Sequence, residues 1–207
     1  MRSSIVLWTS LVCLVLFPCL VHADTLINPG FETGDISGWT WVPNSPSDSY
    51  SVVTGWTGQT LTYTPPEGQY FLAINSWIGG EVYQDVNLTA GQQLQGVAAL
   101  DNASSEFSPG ATLANVQVLQ GGNPIATPWS VTETDVSGNT SGPWTDWSWT
   151  APSSGTYRLA YETYAVNANS WEYGLFDAQP QPLPEPGTCA LLLMGLPGVA
   201  LLRRRRK

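Results

Sequence analysis

Carboxylates are the chain's main stock of reactive groups: of 207 residues, 16 are Asp or Glu, against 7 Lys or Arg and one His. That histidine, His22, and the cysteines Cys13 and Cys19 lie near the start of the chain, and the remaining cysteine, Cys189, lies near its end. Every acid falls between Asp24 and Glu185, where the only cation is Arg158. A Ser-His-Asp or Cys-His nucleophile, a histidine-bound zinc and a Schiff-base lysine therefore lack their residues in the body of the chain. Only carboxylate-pair chemistry survives. An aspartic-protease dyad would want two Asp-Thr/Ser-Gly turns, but Asp35-Ile36-Ser37-Gly38 and Asp135-Val136-Ser137-Gly138 each hold an extra residue and read as turns. A glycosidase needs two acids about 5 to 9.5 Å apart across a sugar cleft, and no spacing here selects such a pair. The residues point away from an enzyme.

The same acidity bounds the partners. A strongly anionic body repels nucleic-acid phosphates and anionic lipid headgroups, so nucleic acid is excluded and divalent cations become the natural counter-ligands. No cysteine remains in the body to build a disulfide framework. Residues 24–178 must stand on a hydrophobic core, and a chain of that length buries roughly 70% of its surface, as one domain.

Tryptophan is the other conspicuous resource. Trp39, Trp41, Trp56, Trp77, Trp129, Trp144, Trp147, Trp149 and Trp171 give the body more indole than a core of this size needs. Indole faces stack on the apolar faces of pyranose rings while neighbouring amides and acids read the hydroxyls. The competing reading is that they fill the space between two sheets. Trp147 and Trp149 share one strand face by period two, and with Trp39 they read as core. Trp56 and Trp77 are flanked by Gly55, Gly58, Asn75, Ser76 and Gly79-Gly80, which predicts loops. Those two, with Trp129 beside Pro128, are the candidates for ligand stacking.

The elements that must position these residues have period two. Residues 70–74, 81–88, 114–119 and 156–164 are alternating, β-branched or aromatic, with no convincing helix between them. Pro29-Gly30, Pro65-Pro66-Glu67-Gly68, Gly79-Gly80, Ala90-Gly91, Gly121-Gly122-Asn123-Pro124, Ser141-Gly142-Pro143 and Pro152-Ser153-Ser154-Gly155 punctuate them at intervals suited to short antiparallel strands. An all-β sandwich or barrel follows.

Both ends depart from this pattern. Arg2, the apolar region from Ile5 to Leu20 and the small-residue site at Val21-His22-Ala23 predict a signal peptide over residues 1–23. Residues 179–183 form a stiff Gln/Pro linker. Beyond it, Pro184-Glu185-Pro186 precedes an apolar segment from Cys189 to Leu202 and the block Arg203, Arg204, Arg205, Arg206 and Lys207. The segment is shorter than the ~20 residues that usually span and contains Pro197, so it predicts a short C-terminal transmembrane helix stopped by its cations, with the body outside. This order of motif, helix and basic block over residues 184–207 resembles the PEP-CTERM sorting signal. The resemblance implies an exosortase-type partner, an inner-membrane-anchored precursor, and a final place at the cell surface or in the extracellular matrix.

Four phrases of the body are also similar to the galactose-binding-like jelly roll, a fold shared by many carbohydrate-binding modules. They are Asn28-Pro29-Gly30-Phe31-Glu32 with Gly38-Trp39; Val82-Tyr83-Gln84-Asp85-Val86 with Leu88-Thr89-Ala90-Gly91; Trp149-Thr150-Ala151-Pro152 with Gly155-Thr156-Tyr157; and Gly174-Leu175-Phe176-Asp177. The resemblance implies a jelly roll of eight to ten strands whose ends meet, and a structural Ca²⁺ held by Glu32, Asp177 and backbone carbonyls near Pro29-Gly30. Such modules usually carry two consecutive acids in the last strand; Phe176-Asp177-Ala178 has one. The expectation is an exported, non-enzymatic surface or matrix protein that associates with polysaccharide. A carbohydrate-active enzyme with a carboxylate pair and a purely structural envelope protein are the alternatives.

Overall fold

In a computed structural model of the protein, residues 25–104, 110–165 and 171–179 are described. The expected signal peptide, the Pro184-Glu185-Pro186 motif, the apolar tail and the block from Arg203 to Lys207 lie outside them. Among the described residues no helix is long and apolar enough to cross a membrane.

Alternation builds the strands. In β12 (Gly155–Tyr164), Tyr157, Leu159, Tyr161 and Thr163 face inward and are buried, while Arg158 and Glu162 face outward. The same pattern organises β5 (Phe71–Ser76), β6 (Gly79–Leu88), β7 (Gln93–Asn102), β8 (Thr112–Gln120) and β13 (Glu172–Ala178). With β1 (Thr40–Pro43), β2 (Ser49–Val53), β9 (Asn123–Thr132), β10 (Thr140–Ser141) and β11 (Thr145–Thr150), they form two antiparallel sheets. One sheet has the order β1-β6-β12-β8-β9; the other runs β10-β7-β13-β5-β2, with β11 also pairing β7. From β5 to β8 each strand joins the sheet opposite its predecessor's, and the result is an all-β, jelly-roll sandwich.

The sheets close on a core that includes Leu72, Ile74, Val82, Leu100, Val116, Leu159 and Phe176, all fully buried. Tyr161 links the layers: its ring stacks on Phe176 at 4.7 Å and on Trp39 at 5.2 Å. Trp39 and Trp147 are buried, and Trp149 packs partly buried against the same core, as their spacing predicts. Each such large side chain contributes about 1.5–3 kcal/mol by leaving water, which is how a domain without disulfides holds together.

A smaller core lies on the outer face of the second sheet. Phe71, Ala73, Ala99 and Leu175 alternate with the inward residues of their strands and are covered by the hairpin β3 (Trp56–Thr57) and β4 (Thr62–Tyr63). Four side chains pin that hairpin. Asp101, buried at the end of β7, accepts hydrogen bonds from Trp56 Nε1 (3.0 Å), the Gln59 N–H (2.8 Å) and Ser141 Oγ (2.7 Å). Tyr63 donates to the Gly142 carbonyl at 2.6 Å.

Candidate functional site

Of the three tryptophans chosen for stacking, the fold links two and separates the third. Trp56 leans on Tyr173 of β13 with ring centroids 4.6 Å apart. Trp77, in the turn between β5 and β6, meets Trp171 at 4.8 Å. Tyr173 and Trp171 are two residues apart in sequence, so the two ring pairs follow each other at roughly 6–7 Å along the strand direction. All four rings are half-buried and present part of their surface to solvent. Asn75 flanks them: it pairs with Tyr173 across β5 and β13, and its Oδ1 is buried without a hydrogen-bond partner. Trp129 lies elsewhere, on the edge strand β9, where it packs edge-on against Phe176. Sequence spacing singled out Trp56 and Trp77 but missed Tyr173 and Trp171, because the partnership is made across strands.

The outer face of the other sheet is polar. Glu81 of β6 and Glu162 of β12 are cross-strand partners, and Asn115 of β8 is the partner of Glu162 on its other side. The Tyr164 hydroxyl donates to Glu162. Farther along, Arg158 donates to both oxygens of Asp85, at 2.8 and 3.2 Å, and lies 3.5 Å from the centre of the Tyr83 ring. Burial, and then the charges of Glu162 and Asp85, push the Glu81 carboxyl above its usual range, with Arg158 opposing. Glu81 and Glu162 are thus neighbouring acids brought together across strands rather than by sequence spacing.

Asp35 and Asp135 do the work of turns. The Asp35 carboxylate accepts from the Ser37 N–H (2.9 Å) and the Thr33 hydroxyl (2.6 Å), and these bonds to Ser37 and Thr33 hold it below the usual range. Asp135 is lowered likewise by the hydroxyl and N–H of Thr132, at 2.7 and 2.9 Å.

Glu32 and Asp177 come together around Gly30. A Cβ on Gly30 would sit 3.2 Å from Asp177 Oδ1, 3.6 Å from the Ala178 carbonyl and 3.7 Å from Glu32 Cγ. The first segment of the body thus adjoins the last strand. Asp177 is 2% exposed, and its Oδ2 has no hydrogen-bond partner. Burial pushes its carboxyl up to about 7; the Glu67 N–H opposes this, and the Glu32 and Glu67 charges add to it. An orphaned buried oxygen among three acids is the environment a hard cation relieves. Glu32 also reaches across to the loop before β5, accepting from the Gln69 N–H (2.9 Å) and the Tyr70 N–H (3.2 Å). That loop needs Gly68, whose φ is +62° and where any Cβ would overlap the Glu32 carboxylate. Asp177 Oδ2 would suit a hard cation such as Ca²⁺, whereas the Glu32 carboxylate is engaged by the Gln69 and Tyr70 N–H groups, and among the described residues no three His, Cys, Asp or Glu are grouped to hold a metal.

No protein-family model and no curated protein matches the chain. Among solved structures, it is similar to a family 61 carbohydrate-binding module in complex with β-1,4-galactotriose, at 19% identity over 74% of this chain and 94% of that one, with a TM-score of 0.46. It is similar to a family 16 carbohydrate-binding module at 13% identity, over 76% and 99% of the two chains, with a TM-score of 0.46. The K3 cleaved adhesin domain of Lys-gingipain from Porphyromonas gingivalis W83 aligns at 14% identity, over 75% and 99% of the two chains, with a TM-score of 0.48.

Proposed function

We propose that the protein is a non-enzymatic component of the cell surface or extracellular matrix, exported, sorted through its tail, and associating with polysaccharide through the sandwich. The observation that carries the binding is the row of half-buried rings formed by Trp56 with Tyr173 and Trp171 with Trp77, bordered by the Asn75 amide. Flat aromatic surface beside a few oriented polar groups is what a sugar chain requires. Trp77 with Trp171 is the better platform, since the Trp56 indole N–H is committed to Asp101. Trp129 packs against the interior core through Phe176 and stands outside this row.

Affinity electrophoresis of the protein in gels cast with defined polysaccharides tests this. The wild type is retarded by at least one polysaccharide, and Trp77→Ala with Trp171→Ala abolishes the shift. Retention unchanged in that double variant removes the aromatic row from the function. Measuring reducing ends in the same samples addresses the enzymatic alternative, which the Glu81 and Glu162 pair favours. New reducing ends that disappear in Glu81→Gln would replace the binding reading with a glycoside hydrolase.

A structural Ca²⁺ at Glu32 and Asp177 completes the proposal by tying the first segment to β13. Binding to the folded state alone, at about 100-fold excess over Kd, adds about 2.7 kcal/mol of stability. Thermal melts with Ca²⁺ and with chelator read it directly. An equal calcium shift in Asp177→Asn takes this residue out of the site.

A further inference from the structure

Along one side of the sandwich the edge strands β1 and β2 face each other. Trp41 of β1 is the partner of the buried Val82, and Tyr50 and Val52 of β2 are the partners of the buried Ile74 and Leu72, so all three point into the sandwich at its rim. The Trp41 and Tyr50 rings meet edge to face, 5.4 Å apart, and bridge the two sheets. Trp41 lies against β6 at Gly80, where a Cβ would come within 2.3 Å of its Cη2. Beside this bridge, between residues 34–39 and β2, is a cleft of about 490 Å³. Ile36, Trp39, Tyr50 and Val52 give it apolar walls, Asp35 and Ser37 polar ones. Aromatic area beside a few placed polar groups, in a volume of roughly 300–1,000 Å³, is what small-ligand sites share. Tyr50 is 39% exposed, so its ring is open to an incoming group.

Asp35 is fixed in this cleft by more than its own turn. Besides the bonds from Ser37 and Thr33 to its Oδ1, Asn28 Nδ2 donates to Thr33 Oγ1 at 2.7 Å and to the Asp35 carbonyl at 2.9 Å. The carboxylate's partner and its backbone are thus both held from a second point in the chain. An ionised carboxylate accepts about four hydrogen bonds, so capacity remains for a ligand. Between Asp24 and Glu185 the only cation is Arg158, and it is paired with Asp85. No side chain of the body therefore neutralises Asp35. A positive group arriving from solution meets an oriented carboxylate, held below the usual range by Ser37 and Thr33, beside an aromatic ring. The body as a whole acts in the same sense: its 16 acids against that one arginine set up a field that repels uronates and sulfated sugars and gathers polycations.

We propose that this cleft is a saccharide subsite separate from the aromatic row, and that its ligand is a protonated amino sugar of a polycationic polysaccharide. The inference rests on the reading of the protein as polysaccharide-binding and adds the chemical class of the sugar. The pyranose lays an apolar face on Tyr50, and its ammonium donates to the Asp35 carboxylate in a charge-assisted bond while the nearby ring adds a cation–π attraction. A neutral sugar still stacks but leaves the carboxylate and the field unused. N-acetylation removes the positive charge and two of the donors, so it forfeits both. The two sites lie on opposite faces of β2: Ser49 faces outward opposite Asn75, beside the aromatic row, whereas Tyr50 faces inward opposite Ile74. Each can therefore be altered without touching the other.

Titration of full-length protein in detergent with a glucosamine trisaccharide, its N-acetylated counterpart and trilysine tests this by calorimetry and by amide chemical shifts over residues 34–39. The glucosamine trisaccharide is expected to bind and to shift those amides, and the acetylated one to bind more weakly. Asp35→Asn keeps an oxygen for the turn but not the charge, and should weaken the glucosamine trisaccharide by about three- to fivefold at low salt, a difference that fades as salt is raised. Tyr50→Ala should weaken it by up to about tenfold. Trp77→Ala with Trp171→Ala should leave it unchanged, which separates this subsite from the aromatic row. Binding that is lost in that double variant and unaffected by Asp35→Asn overturns the cleft and leaves the row standing. No binding of the glucosamine trisaccharide, or equal affinity for the acetylated one, overturns the amino-sugar assignment. So does trilysine bound as tightly with the same dependence on Asp35 and Tyr50, which would make the ligand a basic peptide.

Discussion

Glu81 sits opposite Glu162 with Asp85 near and Arg158 as its only opposing charge, and its carboxyl lies above the usual 4.5. A native value above the unfolded one means that the folded chain holds this proton more tightly. The associated stability is present below the unfolded value and is lost as pH rises through the native one. Glu81→Gln should therefore flatten the decline of melting temperature between mildly acidic and neutral pH, and should raise the midpoint at pH 7. Added salt should narrow the difference between wild type and variant, since screening weakens the repulsion from Glu162. A variant that melts lower than wild type at pH 7 in low salt would show that Glu81 makes a favourable interaction outweighing this repulsion. Gly68 illustrates the opposite dependence, of a backbone on a side chain: Gly68→Ala meets both a positive φ and the Glu32 carboxylate, and should release the loop bonds made by Gln69 and Tyr70.

Among elements, the β3–β4 hairpin depends most on a single acid. Asp101 gathers donors from the hairpin's indole, from its turn backbone and from Ser141. Replacing it with Ala leaves buried donors unmet, which costs about 1–3 kcal/mol each where no water substitutes. Hydrogen exchange in Asp101→Ala should rise over residues 54–64 and stay unchanged in β6 and β12; a uniform rise would mean that the hairpin and sandwich open together. β5, β6, β8 and β12 were legible in the sequence because one of their faces is apolar and period two is then visible. β9 was not. Gly121-Gly122-Asn123-Pro124 reads as one turn, yet only the glycines turn, at φ of +59° and +81°, and Asn123 and Pro124 already belong to the strand. Pro124 and Pro128 are tolerated there because β9 is an edge. The resemblance predicted eight to ten strands; the two sheets hold more because short pieces such as β10 add to them. Polarity hides the inward position of Ser76, Glu172 and Asn102: their residue types suggest solvent, yet all three are fully buried. Cross-strand partners such as Trp171 and Tyr173 are invisible to any one-dimensional spacing.

For the whole molecule, the proposed route runs from export to sorting to display. Deleting residues 203–207 should release or misplace the precursor, and altering Pro184-Glu185-Pro186 should leave an uncut membrane-bound form. Recovering mature surface protein with its C-terminus intact through Lys207, from a cell that has an exosortase, would leave a plain tail anchor. The solitary Arg158 of the body has one more implication if the protein is displayed outside the cell as proposed. Proteases of trypsin specificity cut after Lys or Arg, and between Asp24 and Glu185 this chain offers them one such bond. That bond lies inside β12, hydrogen-bonded on both sides by β6 and β8, with its side chain clasped by Asp85 and laid over Tyr83. A protease must thread several residues of extended chain through its cleft, so the folded body withholds its only target. Limited trypsin digestion should trim the ends and leave the acidic body whole until it unfolds, a durability that comes from lacking almost everything the enzyme recognises.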